Sequence, residues 1–292
     1  MRYSLGLPVE RVDRPDEFVT ADAVAEMAAA AERLGFDAVF VTDHPAPDDR
    51  WLAGGGHHAL EPTVALAFAA AATRTIRLHT HVYVLPYRNP LLAAKAVASL
   101  DALAGGRVIL GVAAGYLRPE FGALGVDFDE RNELCDEGIE VLRRVWTTDH
   151  LSWPGRRFRA RSVTMRPRPR SAPHPPIWIG GNSERAIRRA VRLGQGWSPF
   201  PNPPGQATAT KTAAITDLDQ LAERLERLHR LRAEAGVHGP FDVCFSRFAE
   251  HDDPERYEAL GVTWLTVGVP DARSRAEWID GAAALAARLG IG

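Results

Sequence analysis

Residues 76–116 read as strand, helix, strand, and this unit limits the possible folds more than any other stretch of the chain. Positions 76–85 are dense in β-branched and apolar residues, as a strand buried on both faces requires. Asn89 and Pro90 then supply a helix N-cap and a first-turn proline. Leu91, Ala94, Lys95 and Ala98 follow at helical spacing, and Gly105-Gly106 ends the helix. Positions 108–112 form a second apolar strand that runs into the small residues of 111–115. Two apolar strands joined by a helix imply a right-handed parallel crossover, which places the chain in the α/β class.

The same rhythm recurs on both sides. Strand patterns occupy 3–7, 38–42, 177–179, 196–199, 242–246 and 264–269. Helical patterns occupy 22–34, 61–72, 131–146, 183–193, 218–235, 254–260 and 273–289. With the central unit this makes eight strand–helix pairs, the count of a (β/α)8 TIM barrel, in one domain over residues 1–292. A doubly wound open sheet is the alternative, but eight regular pairs ending in a helix fit closure better. Residues 151–176 are rich in proline and arginine and lack a helical period. They read as a surface insertion between the fourth helix and the fifth strand, with strand pieces at 157–158 and 163–165. Residues 200–211, rich in proline, glycine and threonine, read as a mobile loop able to close over a ligand.

A formal net charge of -2 gives no electrostatic case for nucleic acid as a partner. The two cysteines, Cys135 and Cys244, fall in apolar patterns and read as core residues rather than as a disulfide framework or metal cluster. No apolar run is long enough to span a bilayer. The chain opens on a strand without a signal-peptide pattern, so a cytoplasmic location is expected.

In a TIM barrel the chemistry sits at the C-terminal ends of the strands. Here those positions hold Asp43-His44, residues 81–87, 113–116, 180–183 and 197–200. In Gly180-Gly181-Asn182-Ser183 the glycines let the backbone approach a ligand, and Asn182 or Ser183 can cap the following helix. The free N–H groups of that helix end suit a phosphate, with Arg185 at hand; an ordinary strand-to-helix turn has the same composition. The His44 imidazole is suited to proton transfer near neutral pH, with Asp43 to orient it; the same pair could tie the loop to the barrel. His57 and His58 are secondary candidates, and adjacent histidines lack the spacing of a metal pair, so no metal is assigned. Trp51, Tyr83, Tyr87, Tyr116, Trp197 and Phe200 can wall a flat ring or a substrate. Trp178, within a strand, reads as core.

Several short motifs occur in order: Thr42-Asp43-His44-Pro45, Trp51-Leu52, Thr80 through Leu85-Pro86 to Arg88-Asn89-Pro90, Ser99-Leu100-Asp101, Gly105-Gly106-Arg107, Gly111, and residues 175–181. On these the chain resembles the luciferase-like flavin and deazaflavin oxidoreductases, a TIM-barrel superfamily, over most of its length up to about Trp197. The resemblance implies that the turn 180–183 grips the cofactor phosphate, and that Asp43, His44 and Gly115 lie at the cofactor ring. It also implies that Thr80, His81 and Val82 pass behind the ring, with a non-prolyl cis peptide at His81–Val82. Two departures stand out. The sugar-phosphate dehydrogenase branch carries a carboxylate in the turn after the fourth strand, where this chain has Ala114. The arginine of the luciferase branch is absent there too. Neither glucose-6-phosphate oxidation nor light emission is therefore expected.

The resemblance leads to an oxidoreductase passing a hydride between coenzyme F420 and a small organic substrate, with His44 as the proton partner. A reduced-FMN monooxygenase served by a separate flavin reductase, and a flavin-binding protein without turnover, are the alternatives. The wording around 51–62 and 85–90 leans toward the deazaflavin branch. A homodimer through the alanine-rich helices 22–34 and 61–72 is expected, since related barrels pair through helices on one side.

Overall fold

A computed structural model describes residues 1–205, 210–248 and 253–291. Eight parallel strands close into a barrel: β1 (Arg2–Gly6), β2 (Ala38–Val41), β3 (Arg77–Val84), β4 (Val108–Ala113), β7 (Ile177–Gly180), β8 (Gly196–Ser198), β9 (Asp242–Ser246) and β10 (Trp264–Val267). Each pairs with its neighbour in sequence order, and β1 closes the ring on β10, with Leu5 opposite Val267. This is the expected TIM barrel, and closure rules out the open sheet. Residues 151–176 do form an insertion. Its strands β5 (Leu151–Pro154) and β6 (Arg159–Val163) make an antiparallel hairpin apart from the barrel, offset from the pieces expected at 157–158 and 163–165. The Glu137 carboxylate anchors it by accepting from the Trp153 indole and from the N–H groups of Arg157 and Phe158.

Helices α1 (Ala21–Arg33), α2 (Pro62–Ala72), α3 (Pro90–Leu103), α4 (Arg131–Thr147), α5 (Glu184–Leu193), α6 (Leu218–Glu234), α7 (Pro254–Ala259) and α8 (Arg275–Leu289) surround the barrel. Their starts follow the chemistry of the caps. Asn89 accepts from the Leu91 N–H at 2.9 Å ahead of Pro90, and the Thr20, Ser183 and Asp217 side chains cap α1, α5 and α6. Past the end of α3, Gly105 and Gly106 take positive φ of 69° and 89°, conformations that disfavour a side chain.

The alternation of strand residues divides the core into two layers. Leu5, Val39, Leu78, Leu110, Ile179 and Leu265 face the helices in one large cluster. Ala38, Ile109, Trp178, Cys244 and Trp264 pack together inside the barrel. At the N-terminal end of the barrel, Arg107 donates to the Ala70, Thr73, Ile76 and Ala104 carbonyls, and Asp101 accepts from Val108 and Ser171. These two motif residues therefore brace the bottom of the barrel and leave the mouth to others. Val64 and Phe68 on α2, with Leu92 and Leu103 on α3, remain exposed. The outward side of α1 instead carries Asp22, Glu26 and Arg33. Among the described residues no helix is long and apolar enough to cross a membrane.

Candidate active site

The C-terminal ends of β2, β3, β4, β7 and β8 surround a cavity of about 370 Å³, within the size range of small-molecule sites. Asp43, His44, His81, Val82, Gly115, Tyr116, Gly180, Gly181, Ser183 and Phe200 all line it. So do Ala114, His57, Arg131, Arg185, Arg189 and Lys211. His44 and Gly181, expected around one mouth, are on one cavity wall each.

On the β2 side, His44 Nδ1 lies 3.3 Å from Glu120 Oε2. Glu120 belongs to the short helix Arg118–Ala123 and is fully buried. It also accepts from the Tyr87 hydroxyl at 2.7 Å and the Ala46 N–H at 2.9 Å. Burial alone would raise its pKa, but the bonds from His44, Ala46 and Tyr87 hold the carboxyl below its ordinary value. An ionised, fully bonded carboxylate thus fixes the His44 ring. The Trp51 ring packs 4.4 Å from His44, and the His57 ring meets His44 edge-on at 4.9 Å. Trp51 reaches the site through its ring contact with His44 rather than by lining the cavity.

Asp43 does not orient His44. Its carboxylate accepts the Arg88 guanidinium at 2.6 and 2.8 Å and the Val84 N–H at 2.8 Å, locking the end of β2 to β3. Arg88 in turn stacks over Tyr83, 4.1 Å from the ring centre.

Four expected site residues turn away from the cavity. Thr80 donates its hydroxyl to the Gly111 carbonyl at 2.9 Å, and Tyr83 is buried in the layer facing the helices. On this strand His79 and His81 face inward, so Thr80 between them faces out. A register shift between Thr80 and Tyr83 then carries the pairing past the cis peptide at His81–Val82. Trp197 lies outside the barrel and donates its indole N–H to the Gly181 carbonyl at 2.8 Å. Asn182 is fully buried and is taken up by the loops, bonding the Phe200 N–H and carbonyl and the Ala213 carbonyl. Trp197 and Asn182 thus shape the turn from behind.

On the β7 side, Gly181 has φ of +111°, a conformation open to glycine and strained for other residues. Ser183 caps α5 by accepting from the Ala186 N–H. Around this turn stand Arg131, Arg185, Arg189 and Lys211. Arg189 is neutralised by Asp136, and Arg185 pairs with Glu133 at 2.7 Å. Arg131, stacked on Phe128, and Lys211 have no ion-pair partner among the described residues. This wall therefore presents unbalanced positive charge beside a helix N-terminus, a setting for an anionic group. Lys211 and Thr212 bring the loop expected at 200–211 to the cavity; its residues 206–209 lie outside the described residues.

The floor is His81, Val82 and Ser198. Desolvation lowers the His81 pKa to about 4, so the ring is neutral at physiological pH. Sequence reasoning missed Glu120, because it sought a carboxylate immediately after β4, where Ala114 stands. The signal was Pro119-Glu120, opening a short helix just beyond Gly115-Tyr116.

The sequence profile of the family described as luciferase-like monooxygenase matches residues 1–289. The chain is 32% identical over 214 residues to an F420-dependent glucose-6-phosphate dehydrogenase of Nakamurella multipartita, covering 71% of this chain and 61% of that protein. It is also 32% identical over 192 residues to an FMNH(2)-dependent dimethylsulfone monooxygenase of Pseudomonas putida, covering 64% and 51%. The structure of an F420-dependent secondary alcohol dehydrogenase superposes with a TM-score of 0.74 over 99% of this chain and 98% of that one. At 17% identity that likeness concerns the fold.

Proposed function

Because the chain belongs to the luciferase-like monooxygenase family, with F420-dependent and FMN-dependent enzymes among its relatives, we propose that it is an F420-dependent oxidoreductase acting on a small organic substrate. The observation that carries this reading is the polarity of the cavity. One wall has a histidine held by a buried carboxylate, and the opposite wall has unbalanced positive charge at a glycine turn. A tricyclic cofactor with an anionic tail fits between them. The deazaflavin, when bound, supplies or accepts the hydride.

The protein's share is placement and proton handling. Gly180, Gly181 and Ser183 give close backbone approach for the phosphate, and Arg131 and Lys211 balance the charge beyond it. Asp43, His81, Val82 and Gly115 bound the ring. His44 exchanges a proton with the substrate oxygen or nitrogen next to the reacting carbon, and Glu120 keeps its Nδ1 side engaged so that Nε2 is the working nitrogen. Tyr116 and Phe200 form the substrate wall. The surplus of basic groups favours F420 over FMN, since the F420 tail carries a phosphodiester and carboxylates rather than a single phosphate. Two copies pair through the exposed apolar residues of α2 and α3, with α1 left to solvent.

The test is a turnover assay. Absorbance changes of F420 with a panel of alcohols, aldehydes and enones are compared with dioxygen uptake in the presence of reduced FMN and a flavin reductase. F420 turnover supports the proposal. Oxygen uptake with reduced FMN alone moves the protein to the two-component monooxygenases, and activity with neither leaves a binding protein.

A further inference from the structure

Below the cavity floor three side chains converge inside the barrel. His79 and His81 lie two residues apart on β3, and Cys244 reaches across from β9. One nitrogen from each imidazole and the Cys244 sulfur lie within 4.8 Å of one another. The strand period aims both histidines inward, and no sequence motif joins them to a cysteine 163 positions beyond His81.

We propose that His79, His81 and Cys244 form a binding site for a thiophilic divalent ion, with zinc the best fit. The donor set is two imidazoles and a thiol with no carboxylate, which suits zinc and not magnesium or calcium. His79 supplies an independent sign. Its ring is completely buried, Nδ1 meets Ser4 Oγ at 3.2 Å, and Nε2 has no hydrogen-bond partner among the described residues. Buried polar atoms are nearly always satisfied, and an orphan one calls for an explanation. Donation of Nδ1–H to Ser4 leaves the Nε2 lone pair free for an ion, which is how a second hydrogen bond sets a metal-binding histidine. Tetrahedral zinc needs donors about 3–4 Å apart, so the three atoms must close by roughly an ångström.

Ser198 provides the path. Its hydroxyl lies 3.4 Å from His81 Nδ1, and it lines the cavity. An ion entering through the floor would meet Ser198 first and keep a fourth position facing the cavity. On binding, Cys244 gives up its thiol proton to solvent and ligates as thiolate. The site is independent of which cofactor the cavity takes.

The experiment is an anaerobic titration of reduced, chelator-treated full-length protein with cobalt(II), followed by displacement with zinc. Stoichiometric uptake is expected, with a near-ultraviolet thiolate-to-cobalt absorption that zinc abolishes. Cys244→Ser should lose that absorption and bind at least about tenfold more weakly. Cys135→Ser, at the other buried cysteine, should bind as wild type does, and circular dichroism checks that both variants are folded. Wild-type protein showing no thiolate-to-cobalt band overturns the proposal without recourse to any variant. A band retained in folded Cys244→Ser, or uptake of copper(I) alone, overturns it as well.

Discussion

Glu120 Oε2 lies 3.3 Å from His44 Nδ1, although 76 positions separate the two residues in the chain. The carboxylate is fully buried and is held in place by Tyr87 and Ala46, so the histidine takes its orientation from a rigid partner. A proton-transfer group depends on such orientation as much as on its pKa.

Replacing His44 with alanine should leave cofactor affinity nearly unchanged and slow the chemical step by on the order of 10²–10⁴-fold. Glu120→Gln, which keeps an acceptor for the Ala46 N–H, should slow the same step by less. The double variant should be no slower than His44→Ala, because Glu120 acts through His44. Single-turnover rates decide the matter: multiplicative losses in the double variant would mean that Glu120 has a separate role.

Gly181 and Lys211 separate backbone approach from charge. A methyl group at position 181 would meet Ala186 Cβ at an ordinary 3.4 Å, so the cost of Gly181→Ala is in its positive φ. That substitution should destabilise the protein by about 1–2 kcal/mol and weaken cofactor binding. Lys211→Glu should weaken binding about tenfold or more with an unchanged melting temperature. Unaltered affinity in Lys211→Glu would remove the basic wall from the account.

The barrel was legible because its strands are short and apolar, with glycine marking boundaries such as Gly35 before β2 and Gly105-Gly106 before β4. The mouth residues followed from position alone: any residue just beyond a barrel strand is near the cavity. The direction of each side chain did not follow. The register shift between Thr80 and Tyr83 sends Tyr83 toward the helices, and the outward direction of Trp197 was not legible because a three-residue strand gives too little alternation to read. The pairings of Glu120 with His44 and of Arg88 with Asp43 were not legible because the members of each pair are remote in sequence.

Acid sensitivity has a specific source at the opposite end of the barrel. Glu32 accepts from the N–H groups of Arg74, Thr75 and Ile76 and from the Thr75 hydroxyl. Desolvation opposes its charge, yet these bonds lower its pKa from 4.5 to about 2. A depressed carboxyl pKa stabilises the fold fully above the unfolded value, and that stability is lost as pH falls from about 5 toward 2. Glu32→Gln should therefore cost roughly 1–2 kcal/mol at pH 7, after discounting for solvent screening, and close to nothing near pH 2. Chemical denaturation at several pH values measures it, and a cost independent of pH would contradict the assignment.

The exposed face of α2 and α3 predicts the assembly. Val64 and Phe68 are 55% and 46% exposed, and Leu92 and Leu103 are 72% and 81% exposed. A patch of this kind is usually covered in solution. Light scattering should give a dimer mass at micromolar concentration, and Phe68→Glu with Leu103→Glu should give a folded monomer. A monomeric wild type would refute the proposed pairing.

The most direct measurement is a fluorescence titration of purified protein with F420 and with FMN, side by side at the same ionic strength. F420 should bind at least about tenfold more tightly than FMN, a difference of about 1.4 kcal/mol, and its affinity should fall as salt rises, because the proposed site sets the tail against Arg131 and Lys211. Tighter binding of FMN, or no binding of either, would contradict the central claim.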